Sequence, residues 1–224
     1  MNGKRVLLTF AHPDDETFGP GGTIVKWATQ GAHIKLICAT RGEVGMNHTG
    51  EDTGSVRERE LRASADILGI REIEFLGYID GSMCNEFIPK LELTITEKIQ
   101  EFKPDVILTF DLNGSTGHLD HVAIANATTS AFDKTHIAEK LYYYALPAGF
   151  TSLMHNYFIH FPKGRTLEEI DETVDISNVW EDKLRAMYCH ETQKYDIEII
   201  LTNWRRYGKQ EDYFVIRTWD NEHE

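Results

Sequence analysis

Apolar and polar positions along the chain alternate between two rhythms. "RVLLTFA" (5–11), "HIKLICAT" (33–40), "EIEFLG" (72–77) and "DVILTF" (105–110) are short, largely apolar runs of the kind shown by central parallel strands. Between them, apolar residues recur at helical spacing. In "GGTIVKWATQG" (21–31), Ile24, Val25, Trp27 and Ala28 share one face and Gly31 ends the helix. "SVRERELRASADILG" (55–69) carries Ser55 as expected N-cap, Glu58 as capping-box partner and Gly69 as stop. "LELTITEKIQEF" (91–102) is amphipathic, and Pro104 separates it from the fourth strand. This alternation predicts an α/β fold: a Rossmann-like, mainly parallel sheet with right-handed crossovers and helices on both faces.

After about residue 136 the rhythm changes. "KLYYYAL" (140–146) fits one more parallel strand, its Tyr142-Tyr143-Tyr144 run belonging to the core rather than to an interface. "NYFIHF" (156–161) and "YFVIRTW" (213–219) read as strands, and 178–193 and 196–208 as helices. With no Pro/Ser-rich linker, repeat or low-complexity tract, the expectation is one domain over 1–224. Residues 1–135 would form its Rossmann-like core and 136–224 an elaboration.

Composition narrows the function. A net charge of −13 disfavours sequence-independent nucleic-acid binding, which needs several Lys or Arg, and disfavours anionic membranes. No apolar run approaches the roughly 20 residues of a membrane span. The apolar part of "MNGKRVLLTFA" is too short for a signal peptide and reads as the first strand. Cys38, Cys84 and Cys189 are odd in number and widely spaced, which suits a reducing, cytoplasmic setting.

Chemistry concentrates in two places. "HPDDE" (12–16) follows the first strand, and "GHLDH" (117–121) follows the fourth after the loop "DLNGST". Ligands of open α/β sheets bind beyond the carboxyl ends of the strands, at the switch point where strand order reverses. Strands one and four are the expected neighbours there, so the clusters should face each other despite about a hundred intervening residues. His12 and Asp15 are three apart and can converge on one point, and at least one of His118 and His121 can complete a three-ligand site with an open position. Such a set favours Zn²⁺ and would accept other divalent ions. Asp14, diverging from Asp15, is placed to accept a proton from a metal-activated water. The remaining histidine could donate to the developing oxyanion, with Asp120 holding its tautomer.

Acidic residues at a helix start also complement the helix dipole, which alone would account for an isolated "HPDDE". The second cluster at the same sheet edge is what argues for chemistry. "GPGGT" (19–23) lacks P-loop spacing and follows an acidic cluster, so its glycines are read as close packing.

The pair "AHPDDE" and "GHLDH" resembles the LmbE-type or PIG-L-type zinc-dependent N-deacetylases, which remove acetyl from N-acetylglucosamine-containing molecules. The resemblance runs through about the first 125 residues, with support from "RERELRAS", "FLGYIDGSM" and "KLRAMYCHETQ". Leu119 stands where proline is common in the second motif. The resemblance implies that His12, Asp15 and His121 bind zinc and that Asp14 is the general base. His118 would stabilise the oxyanion or protonate the leaving amine, supported by Asp120. Arg57 would contact the sugar or aglycone, in competition with Arg41, Arg59 and Arg62, and His190 with Gln193 would lie near the pocket. Glu16 is read as a supporting or helix-start residue.

The expected activity is thus hydrolysis of an acetamido sugar, a substrate class that only the resemblance supplies. A larger amide such as a mycothiol S-conjugate is the alternative, and a non-catalytic nucleotide-sugar module the alternative of another class. The pocket wall is expected from 41–54, 78–88 and the second half. Family members often assemble, so a homo-oligomer is left open.

Overall fold

In the computed structural model, which describes residues 1–154 and 160–219, strands and helices alternate as the periodicity predicts. The chain runs β1 (Arg5–Phe10), a single-turn α1 (Asp15–Phe18), α2 (Gly21–Thr29), β2 (His33–Cys38), α3 (Thr53–Leu68), β3 (Glu72–Phe75), α4 (Ile88–Phe102) and β4 (Val106–Phe110). It continues with α5 (Leu119–Thr135), β5 (Lys140–Ala145), α6 (Ala148–Thr151), β6 (Glu172–Asp175), α7 (Trp180–Met187), α8 (Lys194–Tyr207) and β7 (Glu211–Thr218). Among the described residues these strands form a seven-stranded sheet in the order β3-β2-β1-β4-β5-β7-β6.

The five strands from β3 to β5 are parallel, and β7 and β6 add an antiparallel edge. From β1 the chain builds outward through β2 and β3, then returns to place β4 on the other side, so the switch point lies between β1 and β4. Their register pairs Val6 with Val106 and Leu8 with Leu108, and the Phe10 and Phe110 rings meet at 5.0 Å. Both cluster-bearing loops therefore leave the sheet side by side.

Side-chain alternation fixes the layers. Tyr142 packs against Trp27 of α2, whereas the hydroxyl of its neighbour Tyr143 bonds Thr129 of α5 at 2.9 Å. Successive strand residues point to opposite faces, so α2 and α5 cover opposite faces of the sheet. That double cover explains why β1 after Arg5, and β4 throughout, are buried and largely apolar. Tyr142, Tyr143 and Tyr144 are all buried, as a core strand requires.

Four details differ from the sequence expectation. Helix α3 is capped by Asp52 rather than Ser55: Asp52 Oδ2 accepts the Ser55 amide at 2.9 Å and its hydroxyl at 2.7 Å, and Glu58 pairs with Arg41 and Arg62. The segment read as a helix over 178–193 breaks after Met187, and α8 starts at Lys194. Strand β6 is too short and polar to signal itself, and exists by pairing with β7. Of the strand expected over 156–161, residues 156–159 lie outside the described residues, and Phe161 is not in a strand.

A buried ion pair of the second half is bonded to Gly19 and Thr23 and so locks it to the first. Lys183 Nζ donates to Asp212 Oδ1 at 3.0 Å and to the Gly19 carbonyl at 2.6 Å, while Asp212 Oδ2 accepts the amide and hydroxyl of Thr23. A Cβ on Gly22 would lie 2.6 Å from Ile176, which supports the close-packing reading of "GPGGT". Lys183→Met, measured by urea unfolding, is expected to cost about 3–5 kcal/mol, because it leaves Asp212 charged and buried. Among the described residues no helix is long and apolar enough to cross a membrane.

Candidate active site

The crowded acids of "HPDDE" diverge because the turn uses them. Asp14 adopts φ 122°, a conformation that L-residues rarely take and that Asp and Asn tolerate best. Its carbonyl accepts the amides of Thr17 and Phe18, closing the one-turn α1. Asp15 Oδ2 accepts the amides of Ala11 (3.1 Å) and His12 (2.7 Å), and Glu16 Oε2 accepts the Asp14 amide at 3.0 Å. Three neighbouring carboxylates thus point three ways: Asp14 to Arg57, Asp15 to the histidines and Glu16 into the core.

Across the switch point, His118 is the N-cap of α5 and places Asp120 and His121 in its first turn. The His121 ring stacks on Phe110 at 4.0 Å, with Nδ1 3.2 Å from the Gly114 carbonyl and from Thr116 Oγ1. A proton on Nδ1 serves those acceptors and leaves a lone pair on Nε2. His12 Nε2 lies 3.1 Å from Asp120 Oδ2 and 3.0 Å from Asp80 Oδ1, so it carries the proton it donates and Nδ1 faces the site.

The three inward atoms are close together. His12 Nδ1 is 3.2 Å from His121 Nε2, His121 Nε2 is 3.3 Å from Asp15 Oδ1, and His12 Nδ1 is 3.7 Å from Asp15 Oδ2. Tetrahedral ligands with bonds of about 2.0–2.1 Å sit about 3.3 Å apart, so these atoms have the spacing of a metal-ligand set. Two imidazole nitrogens and a carboxylate facing one another need a cation between them, either a proton on His12 or a metal ion.

The electrostatics point the same way. Burial opposes charge on His12, yet Asp120 and Asp80 carry its pKa up to about 10. Burial pushes Asp15 up to about 8 against the pull of His12, with Asp14 adding to the rise. Burial, then the charges of His12 and His118, hold His121 well below the usual histidine range.

His118 also brings a nitrogen within 4.8 Å of the His12 and His121 nitrogens. Its Nδ1 accepts the Asp120 amide at 3.2 Å, which puts the proton of the neutral ring on Nε2. Burial, then the charge on His12, lowers its pKa, so His118 is a neutral donor beside the trio.

The carboxylate of Asp120, expected on His118, instead binds His12 Nε2 and the amides of Gly81 and Met83. The reason is helical geometry: His118 turns its Nδ1 back to the Asp120 amide at the cap, while the buried Asp120 side chain, in the first turn, reaches across to His12 beyond β1. Asp80, which the sequence reading passed over, shares the same His12 proton; its signal was the Asp-Gly turn in "FLGYIDGSM". His12, Asp80 and Asp120 also lie within 4.8 Å, a convergence that this shared proton accounts for. Asp120→Asn is expected to weaken metal affinity about 10–100-fold, measurable by competition with a chelating dye.

Two expected substrate contacts are occupied by the protein itself. Arg57 Nη2 donates to Asp14 Oδ2 (2.8 Å) and the Pro13 carbonyl (2.6 Å), and Nη1 donates to the Gly42 carbonyl (3.0 Å). It lines the cleft, but its main work is to hold Asp14. The competing Arg41, Arg59 and Arg62 pair with Glu58 and Glu51. His190 does not reach the cleft: it is fully buried, with Nε2 2.8 Å from Glu16 Oε1, which Ser64 also contacts. The break between α7 and α8 turns this ring inward behind Asp14, making Glu16 a support for the Asp14 turn. Burial raises the Asp14 pKa against the opposing charge of Arg57, bringing it nearer the range of a useful general base.

These groups open into a cleft of about 520 Å³. His12, Asp14, Asp15, His118 and His121 line one part, and side chains of α6, α8 and the segment after α6 line another. Of the loops expected in its wall, 78–88 contributes Asp80, whereas 41–54 contributes no lining residue; Gly42 and Met46 instead hold Arg57 and Gln193 from behind.

The sequence pattern of the family described as "PIG-L: GlcNAc-PI de-N-acetylase" matches residues 7–132. A 1D-myo-inositol 2-acetamido-2-deoxy-alpha-D-glucopyranoside deacetylase of Thermobifida fusca is 34% identical over 158 residues, covering 59% of this chain and 55% of that protein. A probable N-acetyl-alpha-D-glucosaminyl L-malate deacetylase 2 of Bacillus cereus is 29% identical over 196 residues, covering 85% and 84%. Among solved structures, N,N'-diacetylchitobiose deacetylase from Pyrococcus horikoshii superposes with a TM-score of 0.66 at 21% identity, covering 96% of this chain and 84% of that one.

Proposed function

Starting from the premise that this chain belongs to the GlcNAc-PI de-N-acetylase (PIG-L) family, we propose that it is a zinc-dependent N-deacetylase of an N-acetylglucosamine-containing small molecule. The observation that carries this reading is the convergence of His12 Nδ1, His121 Nε2 and Asp15 within 3.2–3.7 Å at the switch point, with Asp14 in the same cleft. His12, Asp15 and His121 would hold the ion, which when bound supplies Lewis-acid polarisation of the carbonyl and activation of water.

The remaining roles belong to the chain's own side chains. Asp14 takes a proton from the attacking water as the C–O bond forms. Arg57 fixes its carboxylate, and the Glu16–His190 pair fixes its backbone. His118 donates its Nε2 proton as a hydrogen bond to the oxygen on which charge develops. Asp14 then returns the proton to nitrogen as the C–N bond breaks, giving acetate and a free amine. The His12 ring is held for its task by Asp80 and Asp120.

A cytoplasmic setting and a small-molecule partner accompany this reading. A mycothiol S-conjugate would engage the same residues, so side-by-side assays separate the two amides. The test is acetate release from N-acetylglucosamine derivatives. Dialysis against EDTA is expected to abolish it and stoichiometric Zn²⁺ to restore it; activity that survives complete metal removal would overturn the reading.

A further inference from the structure

Helix α8 packs on one side and turns another to the cleft. Ile197 and Leu201 bury against Met187 of α7, which is the face an amphipathic helix requires. Ile199, Ile200 and the buried Trp204 also line the cleft that holds the His/Asp site, with Asp196 and Asn203 between them on that side of the helix. Phe150, Leu153 and Phe161 line it from the segments after β5, with the Phe150 ring stacked on Trp204 at 4.3 Å. A volume of about 520 Å³ falls within the roughly 300–1,000 Å³ of sites that enclose drug-sized ligands.

Charge in the cleft is one-sided. Among the described lining residues Arg57 is the only Lys or Arg, and it is already bound to Asp14 and to the carbonyls of Pro13 and Gly42. Asp80 and Asp196 add negative charge to Asp14 and Asp15. A carboxylate or phosphate on the substrate would meet acids and, among the described lining residues, no Lys or Arg beyond the engaged Arg57, whereas sugar hydroxyls can bond Ser115, Thr116, Gln193 or Asn203. An apolar group would instead displace water from the half-buried Leu153, Phe161, Ile199 and Ile200.

Resting on the deacetylase reading, we propose that the substrate is an N-acylated amino sugar bearing an uncharged apolar group, seated against the half-buried Ile199 and Ile200 of α8 together with Leu153 and Phe161. That group is either the aglycone or an extended acyl chain; both present the same surface to the wall.

The test compares kcat/KM for primary-amine release by the zinc-loaded protein. Its substrates are N-acetylglucosamine, its phenyl and hexyl glycosides, N-acetylglucosaminyl malate and N-hexanoylglucosamine. A phenyl or hexyl glycoside, or the hexanoyl amide, is expected to exceed the malate derivative about tenfold or more, mostly through KM, as one well-buried apolar group commonly achieves. Which of them leads assigns the group to the aglycone or to the acyl side. Ile200→Asp should erase that preference; the wild-type ranking stands as a test even if this variant folds poorly. A malate derivative cleaved as well as or better than the apolar substrates overturns the proposal and leaves the deacetylase reading intact. Release from none of them overturns both.

Discussion

Asp14→Asn is expected to keep its metal and lower amine release by about 10²–10⁴-fold, the range of a general base. Asparagine is the informative replacement because it tolerates positive φ, here 122°, and still accepts a hydrogen bond from Arg57. Arg57 keeps the Pro13 and Gly42 carbonyls, so its buried charge is not left bare. Alanine at this position would mix lost chemistry with backbone strain of about 1–3 kcal/mol. Metal content by elemental analysis, circular dichroism and kcat together decide the matter. Full activity with the metal retained would remove Asp14 from the mechanism and pass the base role to another residue of the cleft.

His121→Ala is expected to lose both metal and turnover. His121 contributes the Nε2 atom 3.2 Å from His12 Nδ1, and its other nitrogen is already held by Gly114 and Thr116. Its removal leaves His12 and Asp15, two ligands where three protein ligands are usual for a catalytic zinc site. Elemental analysis should fall from about one zinc per chain towards zero, with amine release at background. The contrast with His118→Ala is the sharper result, since His118 also has a nitrogen within 4.8 Å of the other two. If His118→Ala rather than His121→Ala released the metal, the ligand and donor roles would have to be exchanged.

The sequence reading reached the two motifs and their meeting place because both rest on local signals. Apolar runs of strand length alternating with helical spacing are what double-covered parallel strands require, and the carboxyl edge follows from chain direction. Strand β6 escaped because its four residues, three of them polar, are too few to signal extension and depend on β7. The helix start was set too late because Ser55 and Glu58 mimic a capping box, whereas Asp52, three residues earlier, makes the bonds.

The site shows the same division at higher resolution. Residue type and i, i+3 spacing sufficed to bring His12, Asp15, His118 and His121 together, since side chains three apart on a first helical turn share a side. Spacing does not say which partner a long side chain faces once two loops are brought together. Asp120 turned to His12 rather than His118, Asp80 arrived from a third loop, and Arg57 closed on Asp14. His190, marked by its motif, went into the core.

By itself, then, the sequence determined the strand-helix alternation, the switch point and the residue types able to bind a divalent ion there, because these depend on periodicity and chain direction. Only the tertiary structure decided the tautomer of each imidazole, the support behind Asp14 and the apolar wall of α8. Each of those depends on groups far apart in the chain, whose hydrogen bonds and buried surfaces exist only once the sheet has set them side by side.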